Sequence, residues 1–475
     1  MPGRDRTVAV LAVVLAAAVL LTAAGMGAVQ WGRADSATSV RTPAAGAAAP
    51  SRSPAPKGGP GTGQQARAAA LDPAGALTTL LTRRARAVRE QDRAAWLATV
   101  DPADRRWRTA QATAFDRIAR LGARSWTYRL ASAAALPQRR RVALRAPSRL
   151  LTVTLAYRLG ADSRDVQRQQ SLTVVQRGGR WYAAADTDGR TERDLWDVGP
   201  VTVVRGERSL VVGASSRARM LPQLARDADA AAVRVDRAWR APWPRTVVVV
   251  VPGTVAQMAT LLGRPVDSGL DQVAAVTSGE LQRGGTTPAG VADRVVVNPV
   301  AFADFSPVGR RVVLAHEFTH VATRASALVA TPLWVEEGFA DYVGYLDAGL
   351  SRSVVAADLM ARVREGKLPG RLPTEQDFDP SVTDIAPAYA GAWLAMDLIA
   401  RDGGTQAVVD FYRVAAGLPL LGRPARKRGT PLPTQAQALQ RAFTGVVGVG
   451  QARFQARWRA YLRTVASAPA GSGAA

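Results

Sequence analysis

The sequence predicts an α+β protein carrying a membrane-spanning helix at its N-terminus. Three observations lead there. Residues 7–31 are free of charge and almost wholly apolar. Helical spacing gives way to period-two alternation between Leu77 and Tyr182. Beyond Thr246, short valine-rich runs are followed by helical patterns, the last of them over 436–465 after a Pro-, Gly- and basic-rich loop at 417–434. The expectation is a membrane helix, a small α+β domain, and a larger domain built from a mixed sheet and a mainly helical C-terminal part.

About 20 apolar residues suffice to cross a bilayer. Arg4 and Arg6 precede the apolar run, which keeps the N-terminus in the cytoplasm and sends the remainder out. The segment 1–33 is therefore expected to anchor the chain in the cell membrane as a single pass, with the bulk extracytoplasmic. If this segment is cleaved, the protein is secreted. Residues 34–70 are mostly Ala, Pro, Gly and Ser with scattered Arg and no aromatic residue, the composition of a linker.

The small domain is expected over 71–200. Leu77, Leu80, Leu81, Val88, Trp96 and Leu97 stand near helical spacing, predicting one helix over 77–97. Asp101-Pro102 ends it, and a second helix runs to about Leu121. Alternation then predicts strands around Trp126–Tyr128–Leu130, Val142–Leu144, Leu151–Tyr157 and Leu172–Val175, the last joined through the turn Gly178-Gly179 to Trp181. This order of elements, with the stretch Gly178 to Tyr182, resembles the cone-shaped fold of nuclear transport factor 2 and its relatives. The segment has no His and no clear carboxylate pair, so it is expected to space or bind rather than catalyse.

Composition narrows the chemistry. The chain has no Cys, which excludes disulfides, thiol catalysis and thiolate metal sites. Lys and Arg exceed Asp and Glu by 62 to 38, giving a net charge of +24. The excess is nearly all Arg and is spread along the chain without a recognition motif, so no nucleic-acid partner is expected. Only two His exist, and any imidazole chemistry must use them.

Both fall in the run VVLAHEFTH, as His316 and His320 around Glu317. The i, i+4 spacing places two imidazoles on one helix face, where they can share a metal ion, with Glu317 one residue along to act on a water. Two histidines placed at random in this chain would stand four apart in roughly 0.4% of cases, before the Glu is demanded as well. Ser306-Pro307 supplies an N-cap and a first-turn Pro for the helix. Catalytic zinc usually takes three protein ligands. The next helix, TPLWVEEGFADY from Thr331, offers Glu336 and Glu337.

H-E-x-x-H followed by W-x-x-E-G-F-A-x-Y resembles the gluzincin metallopeptidases, which include thermolysin-like and aminopeptidase-N-like enzymes, and most of all the bacterial peptidase MA-like domains. The resemblance covers about 201–466, with its specific part at 311–342. It implies a Zn2+ ion held by His316, His320 and Glu337, the Glu directly before Gly. Glu336 would then be a solvated charge at the helix start, suited to the macrodipole. Asp341, four residues after Glu337, can accept a hydrogen bond from a ligand imidazole and fix its tautomer. The resemblance further implies that Glu317 is the general base, that Tyr389 in AYAGAWLAMDLI stabilises an oxyanion, and that a peptide or protein substrate lies along the edge of a sheet that includes 246–251 and 294–297. The stretch between His320 and Glu337 is shorter than in the large families, and the segment that holds a free substrate amine in aminopeptidases is absent. Closing helices are expected over 436–465, and a short tail over 467–475. The implied activity is zinc-dependent peptide hydrolysis. The alternative is a binding or scaffold protein of the cell envelope that keeps the peptidase fold without turnover.

Overall fold

The computed structural model describes residues 73–266, 268–278, 293–379, 384–424 and 429–468. The segment 1–33, the linker 34–70 and the end of the tail lie outside them. Among the described residues no helix is long and apolar enough to cross a membrane. The expected fold class is corrected for the described residues, which form an α+β fold with no membrane-crossing helix among them. The physical reason is plain in the two best candidates. The longest helix, Ala386–Ala415, carries Asp397, Arg401, Asp402, Asp410 and Arg413. The helix Leu333–Tyr345, buried from Leu333 to Gly344, has 13 residues, well short of the span of about 20 that a bilayer needs.

The chain opens with α1 (Pro73–Arg89), a one-turn helix Arg93–Leu97, and α2 (Arg105–Ala119). The single helix expected over 77–97 is broken. Gln91 takes a positive φ of 53°, and Asp92 starts a new helix by accepting from the Ala95 N–H, an N-cap that competes with continuation. Four strands follow: β1 (Ser125–Ala134), β2 (Ser148–Arg158), β3 (Val166–Arg177) and β4 (Arg180–Ala185). They form an antiparallel meander in sequence order. Gly178 and Gly179, both at positive φ, make the β3–β4 turn of the twist-matched kind that favours Gly at its two central positions. The strand expected at Val142–Leu144 is instead a helix, Gln138–Leu144. Pro137 presets its entry, and two alternating residues are too few to fix a strand against an Arg-rich helical run. On one face of the meander, Leu151, Val153 and Val174 meet Leu77, Leu80 and Leu81 of α1.

The second sheet holds β5 (Val201–Arg205), β6 (Ser209–Ala214), β7 (Val247–Val251), β8 (Ala275–Thr277) and β9 (Arg294–Val297). Its order is β5-β6-β7-β9-β8. The β6–β7 and β7–β9 pairs are parallel and the outer pairs antiparallel, so the sheet is mixed and β8 is an edge strand. Strand periodicity divides its valines. Val249, Val295 and Val297 face the helical half, and Val248, Val250 and Val296 face the meander.

That second face shares one core with Trp126, Leu155 and Tyr157 of the meander. A buried polar clamp fastens the two sheets. Arg294 donates to both carboxylate oxygens of Asp162, at 3.0 and 2.6 Å, and to the Tyr157 hydroxyl at 2.6 Å. Bidentate charge-assisted bonds of this kind are the strong class of protein hydrogen bond. The two sheets are thus held by packing and by a fixed polar joint.

The helical half comprises α3 (Leu221–Trp239), α4 (Pro307–Arg324), α5 (Leu333–Tyr345), α6 (Ala386–Ala415, bent at Gly404) and α7 (Gln451–Ser467). Residues Leu333 to Gly344 of α5 are all buried, as befits a helix apolar nearly all round. It lies between α4 and α6, and two glycines permit that approach. A Cβ on Gly338 would stand 2.6 Å from the Ala392 carbonyl oxygen of α6. One on Gly344 would stand 3.1 Å from the Val312 carbonyl oxygen of α4.

Candidate metal centre

The site is built where α4 and α5 pass each other. Helix α4 starts as its sequence dictates: the Gly309 N–H donates to Ser306 Oγ at 3.1 Å, and Pro307 fills the first turn. From Val312 to Thr323 every residue is buried. His316 and His320, one turn apart, turn their rings toward α5. Its N-terminus is pinned from outside, because the Leu333 N–H donates to Glu375 Oε1 at 3.0 Å. A carboxylate there satisfies an otherwise orphan donor and suits the helix dipole.

Three ligand atoms converge. His316 Nε2 and His320 Nε2 are 3.1 Å apart. Glu337 Oε2 lies 3.3 Å from the first and 3.4 Å from the second. All three side chains are buried. They form the one group of metal-ligating side chains found among the described residues. Bonds of 2.0–2.1 Å meeting at the tetrahedral angle put ligand atoms about 3.3–3.4 Å apart. The three observed edges match that triangle closely. Neither Glu337 oxygen has a hydrogen-bond partner, and a buried carboxylate without donors is costly unless a cation faces it. The donor set therefore fits one ion placed against all three atoms.

The other side of His316 is fixed as well. Its Nδ1 is 2.8 Å from Asp341 Oδ1, so Nδ1–H donates to the carboxylate and Nε2 presents its lone pair to the centre. Burial alone would push the His316 imidazole pKa down. The adjacent Asp341 and Glu337 carboxylates outweigh it and raise this pKa well above the usual range. Burial likewise pushes the Glu337 carboxyl up, but the imidazoles of His320 and His316 prevail and hold it well below its ordinary value. Burial raises the Asp341 carboxyl. The pattern is that of a buried anionic pocket that takes a cation, as protons on the imidazoles or as a metal ion.

Glu317, also fully buried, is held by a residue that the sequence does not single out. Thr277 Oγ1 donates to Glu317 Oε2 at 2.6 Å. Thr277 ends the three-residue edge strand β8, too short to show in any periodicity. The strands at 247–251 and 294–297 lie further inside the sheet, so β8, and not these, is the edge that reaches the site.

Two further residues need separate statements. Glu336 was expected as a solvated charge and is only 8% exposed, accepting from Thr331 Oγ1 at 2.6 Å. Packing of α5 on both sides buries its first turn, and Thr331 compensates the carboxylate there. Tyr389, on α6, is buried and meets the Phe378 ring edge-on at 5.0 Å. It lines a cavity of about 20 Å³ with Asp341, Tyr345 and Trp393, next to the carboxylate that holds His316 Nδ1.

Comparison with family models, curated proteins and solved structures finds no match to this chain. The centre itself carries the functional reading.

Proposed function

We propose that this chain is a zinc-dependent metallopeptidase. The observation that supports it is the triangle of His316 Nε2, His320 Nε2 and Glu337 Oε2, with Glu317 next to His316 on α4. Two imidazoles and one carboxylate form a donor set typical of catalytic zinc, which keeps a position open for chemistry. A zinc ion there supplies Lewis acidity, which polarises a substrate carbonyl and lowers the pKa of a water toward about 7.

The chain's own residues then have distinct tasks. His316, His320 and Glu337 hold the ion. Asp341 keeps His316 in the tautomer that offers Nε2 to the metal. Glu317 takes a proton from the attacking water and passes it to the leaving amine, so that a peptide C–N bond breaks as a C–O bond forms. Burial of the whole group keeps bulk water away and strengthens every electrostatic interaction within it. The substrate class is a peptide or an unfolded protein.

The test is turnover of a fluorescently labelled unfolded protein by the full chain. Hydrolysis that stops on treatment with a zinc chelator and returns on adding Zn2+ is the expected result. A metal-loaded protein that leaves the substrate intact would refute the peptidase assignment and favour a binding role.

A further inference from the structure

We infer that Thr277 is the positioning residue for Glu317, the residue that gives the general base its working geometry; the inference builds on the metallopeptidase reading above. A glutamate has three rotatable side-chain bonds, and a helix fixes only its Cα. A base that must meet one water at hydrogen-bond distance loses most of its effect if its carboxylate swings. Something outside α4 has to hold it.

The structure provides one such holder on β8. Thr277 pairs with Val295 in the antiparallel β8–β9 ladder, so its backbone is fixed by the sheet. Its side chain is β-branched, which restricts χ1, and it is fully buried. Its hydroxyl lies 2.6 Å from Glu317 Oε2 and 3.3 Å from the Glu317 carbonyl oxygen. The single hydroxyl proton goes to the nearer and charged acceptor, the shorter and stronger kind of bond. The arrangement ties the base on the helix to the edge strand of the sheet, so base and strand keep a fixed separation.

Two variants and one cycle test this on the full chain. Thr277→Val keeps the shape and removes the hydroxyl; Thr277→Ser keeps the hydroxyl. Thr277→Val is expected to retain zinc and to leave KM within about twofold, while kcat falls by about 10–100-fold, the loss that follows a small misplacement of a catalytic group. Thr277→Ser is expected to recover most of that loss. Without any reference to turnover, Thr277→Val should lower Tm in the wild-type background by more than it does in a Glu317→Leu background, because the pair is in direct contact. Unchanged kcat in Thr277→Val, equal losses in Val and Ser, or additive Tm shifts would each overturn the assignment. If the zinc-loaded wild type hydrolyses nothing while the Tm shifts remain coupled, Thr277 still holds Glu317 and it is the peptidase reading that fails.

Discussion

Glu317→Gln is expected to keep the metal and to lose about 10²–10⁴-fold in kcat, the usual contribution of a general base. Gln has the size of Glu, and its amide oxygen can still accept from Thr277, whose hydroxyl lies 2.6 Å from Oε2 in the native pair. What disappears is basicity alone. The three ligand atoms belong to His316, His320 and Glu337, so the variant should bind metal as the native chain does. Metal content and hydrolysis measured on the same preparation check both halves. Native activity in the variant would remove Glu317 from the mechanism. Loss of metal would mean that it acts as a ligand or as a support for one.

The second large effect is structural. Gly338→Ala would put a Cβ 2.6 Å from the Ala392 carbonyl oxygen and 2.8 Å from its carbonyl carbon. Backbone atoms cannot swing aside as a side chain can, so α5 and α6 must separate. Overpacking in a dense core typically costs about 1–3 kcal/mol, and the burial of α5 from Leu333 to Gly344 places this site at about 3 kcal/mol. Glu337 precedes Gly338 on the same helix, so the shift should also loosen the metal triangle. Denaturant unfolding and metal titration are expected to show lower stability and weaker binding together. Native stability would contradict the close α5–α6 contact.

Gly338 shows how far the sequence can be read. The pairing of Glu337 with Gly338 is visible in the sequence, and so are the two histidines at helical spacing and Asp341 one turn further on. These are local patterns, set by the 3.6-residue period, and the structure brings their side chains together within one centre. The strands at Leu151–Tyr157, Val247–Val251 and Arg294–Val297 were legible for the same reason, since alternation or a valine run is a local signal. What could not be read depends on contacts between distant segments. Thr277 and Glu317 are 40 positions apart, and Arg294 meets Asp162 across 132. Glu336 looked solvent-facing because its burial depends on helices far along the chain. The Gln138–Leu144 helix was misread because two alternating residues carry too little pattern to outweigh Pro137 and an Arg-rich run.

The central claim is that His316, His320 and Glu337 hold one metal ion. Elemental analysis of the full chain, purified without chelators beside its His320→Ala variant, tests it most directly. The account predicts close to one zinc per native chain and essentially none in the variant. No metal in either, or equal metal in both, would contradict it.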